Sequence, residues 1–180
     1  MHEQDFALIL AQESDLCHIS NLEAESYPED ESASPATIAW RAQVAPEYMY
    51  VLLCLSSNLI VGFVNGTCVD DESISHSSMS SHVVGAKNLV IHSVVIDQNY
   101  RRKGIGQYML KAYIEKMRKV SSLWKISLLA KRELVKFYRS CGFSLDEISN
   151  VAHGKVYPSS DSSKNITNLV VDRIFGMKCR

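Results

Sequence analysis

The sequence predicts an α/β (α+β) fold around one central mixed sheet, and three observations carry that expectation. Seven short runs are rich in apolar and β-branched residues. Four other segments carry helix signals, either helical spacing of apolar residues or cap, first-turn proline and stop-glycine residues. The order is β-rich at first and then alternates strand, helix, strand, helix before two closing strands, which places helices on a partly parallel sheet. At 180 residues the chain is long enough for one real core and shorter than the length at which cores divide. Residues 1–180 are therefore read as a single domain.

The first run, Phe6–Ala11 (FALILA), is a strand, and Ser14 is the expected N-cap of a helix through DLCHISNLEAE. Ser34-Pro35 supplies the cap and first-turn proline of a second helix ending near Gln43. Met49–Leu55 and Leu59–Cys68 are two strands separated by Ser56-Ser57-Asn58, the mark of a hairpin. Residues 69–88 are rich in Ser, His and acids without a usable period, and are expected to be a mobile loop. Leu89–Ile96 (LVIHSVVI) reads as a strand buried on both faces except at His92 and Ser93. Ile105, Met109, Ala112, Tyr113 and Met117 then define an amphipathic helix from Gly104 to about Val120. The strand KISLLA follows, then a short helix over Arg132–Cys141 stopped by Gly142. Strands near Leu145–Val151 and Leu169–Met177 close the chain, with Ser159–Asn168 as a polar insertion between them.

Composition excludes several classes of function. Nineteen Lys+Arg against 20 Asp+Glu leave no global field to recruit nucleic acid or a membrane surface. No apolar stretch approaches a membrane span, and the N-terminus lacks a signal-peptide pattern, so the expectation is a cytoplasmic, soluble protein. The five cysteines, at 17, 54, 68, 141 and 179, form no C-x-x-C pair, which argues against a disulfide framework or a zinc ribbon. His76 and His82 lack a familiar metal spacing, and no metal is expected.

The chemically informative stretch is YRRKGIGQYML, Tyr100–Leu110. A strand running through it into a helix leaves the first helical N–H groups pointing at the turn, where they can bind an anion. Gly104 and Gly106 permit close backbone approach, while Arg101, Arg102 and Lys103 add charge. On spacing alone the loop is equally a cationic turn that merely needs glycine. A P-loop is excluded because Gln107-Tyr108 follows Gly106, and a dinucleotide fingerprint fails at Met109.

Arg101-x-x-Gly104-x-Gly106 resembles the acetyl-CoA pyrophosphate loop of the general N-acetyltransferase (GNAT) superfamily, and ELVKFYRSCGF, Glu133–Phe143, resembles its second signature. The segments Tyr27–Arg41, Ser75–His82, Ile91–Asp97 and Ala152–Tyr157 are similar to the arylalkylamine (serotonin) N-acetyltransferase family, especially its fungal and protist branch, which includes polyamine acetyltransferases. The resemblance implies a single-domain GNAT fold with about seven strands and about four helices, and acetyl-CoA as cosubstrate. It further implies acetyl transfer to a small primary amine, aromatic or polyamine, in a ternary complex.

Acetyl transfer to an amine requires that the amine lose a proton, since an alkylamine titrates near ~10. His92 matches the family's catalytic histidine and Tyr138 the tyrosine that serves as acid. Vertebrate serotonin acetyltransferases carry a second histidine two residues earlier, where Val90 stands here. The family's geometry would pair the pantetheine arm with the backbone of Val94, Val95 and Ile96. The amides of Arg102, Lys103, Gly104, Ile105, Gly106 and Gln107 would face the pyrophosphate, with Arg101 and Phe137 alongside. Tyr27, Pro28, Glu29, Asp30 and Glu31 form an acidic loop that either attracts a cationic amine or is a solvated turn. Two other functions stay open at this point: acetylation of a protein or peptide amine on the same fold, and a non-catalytic CoA-binding regulator, for which Val90 speaks and against which intact His92 and Tyr138 speak. A monomer is expected.

Overall fold

In the computed structural model, which describes residues 3–70, 74, 77–148 and 166–172, the apolar runs form one seven-stranded sheet. The strands are β1 Phe6–Leu10, β2 Tyr50–Cys54, β3 Leu59–Val69, β4 Asn88–Ile96, β5 Lys125–Lys131, β6 Ser144–Ile148 and β7 Ile166–Asp172. Their order across the sheet is β1-β2-β3-β4-β5-β7-β6. The helices are α1 Leu16–Ser26, α2 Pro35–Val44, α3 Ile105–Met117 and α4 Val135–Ser140. All neighbours are antiparallel except β4 and β5, which are parallel and need a crossover; α3 supplies it. Among the described residues no helix is long and apolar enough to cross a membrane.

Strand alternation divides the core into two layers. Val51, Phe63 and Val95 face α1 and α2, where they pack with Ile19, Leu22 and Ile38. Leu52 and Val64 point the other way into the larger cluster containing Met109 and Tyr113 of α3, Tyr138 of α4 and Phe143. Tyr113 is fully buried and donates its hydroxyl to the Tyr48 carbonyl at 2.9 Å, which satisfies the one polar atom it brings inside.

Several boundaries differ from the sequence expectation for local reasons. Ser14 does not cap α1. A 3-10 turn, Glu13–Asp15, precedes that helix, and the Asp15 carboxylate accepts from the Gln12 N–H at 2.8 Å. Ser34 does cap α2, accepting from the Thr37 N–H at 3.1 Å. Ser93 is buried rather than exposed, because its hydroxyl has a partner in α1. In the 69–88 segment the described residues include Ile74, which packs with Val69 and Val90, and a 3-10 turn at Ser77–Ser80. His82 is structural there, its Nδ1 accepting from the Cys68 N–H at 3.1 Å. The last strand begins at Ile166, so Thr167 and Asn168, placed by composition in the polar insertion, belong to the sheet. Ala152–Tyr157, most of the insertion, and His76 lie outside the described residues.

Gly62 and Gly66 show how tightly β3 and β4 are laid together. A Cβ at Gly62 would stand 2.6 Å from the Val95 carbonyl oxygen and 2.7 Å from the Ile96 Cδ1. Gly62→Ala is therefore expected to lower stability by about 1–3 kcal/mol, the usual cost of overpacking, seen as a lower midpoint in thermal melting. A melt unchanged by the substitution would show that β3 and β4 separate without cost.

Candidate active site

The site begins with an irregularity in β4. Register passes from Asn65↔Ser93 to Gly66↔Ile91, so His92 is an extra residue with no Cα partner on β3, a β-bulge. Pairing of β4 with β5 covers only Asn88–Ile91, matched to Lys125–Leu128. Beyond that point β5 continues against β7 through Lys131, while β4 runs on along β3 through Ile96. The two parallel strands thus part at His92, and a wedge opens between them.

Alternation decides which peptide groups face the wedge. The Asp97 N–H donates to Val61 of β3, so odd positions turn inward at this end of β4. Val94 and Ile96 turn toward the wedge, and both meet side chains there. The Val94 N–H donates to the Tyr27 hydroxyl and its carbonyl accepts from it, each at 3.4 Å. The Ile96 carbonyl accepts from Arg101 Nε at 2.7 Å. Val95, expected with them, instead directs its side chain to α1 and α2 and pairs across β3 with Phe63.

The glycine loop lies just beyond. Arg102 and Gly104 both adopt left-handed backbone, at φ 58° and 79°, and Gly104 caps α3 without a side-chain bond. The first N–H groups of α3, at Ile105, Gly106 and Gln107, thus emerge at a helix start that carries no capping side chain. The cations around it are largely committed. Arg101 also donates to Ser26 Oγ at 2.9 Å, tying β4 to α1, and Lys103 Nζ donates to the Asn99 carbonyl at 2.6 Å. The Gln107 side chain reaches the Ser140 carbonyl of α4 at 3.1 Å. Gly106 packs close to Ile96 and Phe137. Gly104→Ala meets no neighbour but forces a side chain into left-handed backbone, and is expected to cost about 1–2 kcal/mol of stability in denaturant unfolding. An unchanged unfolding midpoint would mean that the loop can relax to another conformation.

A cavity of about 210 Å³ occupies the wedge, lined by His92 and Val94 of β4, Leu128–Lys131 of β5, Tyr138 of α4, and Glu23, Tyr27, Pro28 and Glu31 of α1 and its following loop. His92 Nε2 is 2.7 Å from Thr67 Oγ1, which fixes the imidazole plane. Tyr138 is held edge-on between Phe137 and Phe143. Burial pushes its phenol well above the ordinary range, with lesser contributions from Tyr27 and Cys141. Burial likewise pushes Tyr27 up to about 12, with Glu23 adding to the effect. Glu31 pairs with Lys131 at 2.7 Å, joining the α1 loop to the end of β5 across the mouth of the wedge. Glu29 and Asp30 are exposed and lie off the cavity wall. Among the described residues no group of three or more His, Cys, Asp or Glu could hold a metal ion.

Sequence reasoning missed Glu23, Thr67 and Lys131. Glu23 had a readable signal: it follows Ile19 and Leu22 at helical spacing, so a carboxylate stands on the apolar face of α1. It is 2 % exposed, and its Oε1 accepts from the Ala33 N–H at 3.0 Å and from Ser93 Oγ at 3.2 Å. Burial raises its pKa, offset in part by those bonds and by Arg41. Arg41, also buried, is pushed down to about 10 by the same loss of solvent.

Comparisons with known proteins give the family and the fold. The profile of the "Acetyltransferase (GNAT) family" matches residues 16–143. The serotonin N-acetyltransferase of Mesocricetus auratus is 25% identical over 84 residues, a match that spans 47% of this chain and 41% of that enzyme. Among solved structures, the loading GNATL domain of CurA from Lyngbya majuscula superposes with a TM-score of 0.76 at 15% identity, covering 93% of this chain and 98% of that one. The GphF GNAT-like decarboxylase in complex with isobutyryl-CoA gives 0.75 at 18% identity, covering 93% and 99%. Naa50 of Arabidopsis thaliana, in complex with a CoA-containing bisubstrate analogue, gives 0.68 at 17% identity, covering 93% and 99%.

Proposed function

The chain belongs to the acetyltransferase (GNAT) family, and from that premise we propose that it transfers an acetyl group from acetyl-CoA to a small primary amine, an arylalkylamine or a polyamine, by direct attack in a ternary complex. The observation that carries this reading is the wedge itself, where His92 and Tyr138 line one cavity that opens at the end of β4–β5 pairing.

The residues present fit acetyl-CoA. A strand edge at Val94 and Ile96 offers peptide groups to an extended amide-bearing arm once Tyr27 and Arg101 yield them, a form of strand addition. The uncapped start of α3, preceded by left-handed Arg102 and Gly104, offers N–H groups to a pyrophosphate. When bound, acetyl-CoA supplies the acetyl thioester. His92 takes the proton of the incoming amine on its imidazole, held in place by Thr67. Tyr138 keeps its proton at Oη throughout the working pH range and presents it to the departing sulfur. The Val94 N–H, which faces the wedge, would stabilise the transient oxyanion once Tyr27 releases it.

The test is CoA release from acetyl-CoA by the purified protein, offered tryptamine, serotonin, phenylethylamine, spermidine and a lysine-containing peptide. Turnover on one of the small-amine classes is expected. Binding of acetyl-CoA without release on any small amine would overturn the reading, and release on the peptide alone would move the acceptor to protein amines.

A further inference from the structure

Glu23 is one of the polar groups on the cavity wall that the proposed reaction leaves unused. Its Oε1 is fully occupied by the Ala33 N–H and the Ser93 hydroxyl, while its Oε2 is buried with no hydrogen-bond partner. An orphaned carboxylate oxygen out of water is costly unless something donates to it. Arg41 influences Glu23 electrostatically but makes its hydrogen bond to Asn65 Oδ1 at 3.4 Å, and its own Nε is likewise buried with no hydrogen-bond partner. Glu31, the other carboxylate on the cavity, already has Lys131. Glu23 is thus the acid in this cavity with an acceptor position left over, and it stands on the α1 wall while the β4 wall carries His92.

Resting on the amine-acetyltransferase reading, we infer that Glu23 is the docking carboxylate for the acceptor, taking an N–H of the incoming alkylammonium on Oε2 and so selecting charged alkylamines over neutral molecules of the same shape. The rigidity of the site supports the assignment. Ser93 adjoins the bulge and Ala33 lies in the loop after α1, so two separate elements hold the carboxylate through Oε1 and leave Oε2 without a partner. An ammonium at that point supplies a donor to the partnerless oxygen, and it lies in the same cavity as the imidazole that removes its proton. Substrates whose nitrogen is uncharged at neutral pH, such as anilines, gain nothing from it.

The experiment compares each amine with its alcohol isostere by calorimetric binding to the full chain with CoA present: tryptamine with tryptophol, and 1,4-diaminobutane with 1,4-butanediol. A hydrogen bond to a charged group predicts that the wild-type protein prefers one of the amines by about 10- to 100-fold in Kd. Glu23→Gln retains an oxygen for Ala33 and Ser93 but replaces the partnerless acceptor with a donor. It is expected to bring that ratio close to one while leaving CoA affinity and the circular-dichroism melt intact. A wild-type ratio near one overturns the assignment whether or not the variant folds. A ratio preserved in E23Q, or lost in E31Q instead, overturns it as well. Failure of the small-amine reading is distinct: no small amine would then release CoA in the wild-type assay.

Discussion

Tyr138→Phe should lower kcat for acetyl transfer by about 100-fold or more while leaving acetyl-CoA affinity nearly unchanged. The magnitude is the ordinary worth of a positioned proton donor. The selectivity for kcat follows from how the ring is held. Tyr138 packs edge-on against Phe137 and Phe143 and is almost wholly buried, so phenylalanine fills the same space with the same contacts. Removing only the hydroxyl leaves the fold and the α3 start alone. Burial keeps the phenol protonated far above neutrality, so the wild-type enzyme should show no alkaline loss of activity from this group below pH ~10. The measurement is a single-turnover rate beside a CoA binding isotherm. Tyr27 is the natural competitor, since its hydroxyl lines the same cavity. Its oxygen is engaged with both backbone groups of Val94, so Tyr27→Phe should change acetyl-CoA binding more than the chemical step. If Y27F lost kcat and Y138F did not, the acid would be Tyr27.

How much of this site could be read from the sequence follows from the range of the interactions involved. The glycine loop was legible because φ > 0 and an uncapped helix start are local demands, met by Gly104 within a few residues. The order of strands and helices was legible because side-chain periodicity is local too. The bulge at His92 was not, since it is defined by register against β3, and nothing in LVIHSVVI marks which residue lacks a partner. The wedge depends in turn on where pairing with β5 stops, more than thirty residues along the chain. Acidity in the 27–31 loop drew attention to Glu29, Asp30 and Glu31, yet exposure leaves the first two in solvent and Lys131 occupies the third. Glu23, hidden on the apolar face of α1, is the carboxylate that the fold carries inward, and helical spacing alone would have pointed to it.

His92→Ala should lower kcat/KM at neutral pH by about 100-fold, and the deficit should shrink as the assay pH rises. The sign follows from the acceptor. Below its pKa of ~10 the neutral fraction of an alkylamine grows tenfold with each pH unit, so an enzyme without a base gains rate steeply toward alkaline pH. Wild type, which removes the proton itself, depends less on that fraction, and the two profiles should converge near pH 10. Parallel profiles would mean that His92 matters by shaping the bulge, and the base would have to be sought elsewhere on the cavity wall. Thr67→Val separates the two possibilities further, because it frees the imidazole at Nε2 without removing it and should cost far less than His92→Ala. Val90 does not rescue a second base. It is fully buried in an apolar cluster with Val69 and Ile74, so the residue two positions before His92 contributes packing rather than proton transfer. On the proposed mechanism a single imidazole, bonded to Thr67 at the bulge and lining the wedge, would carry proton removal, and pH-dependent convergence is the expected signature of that role.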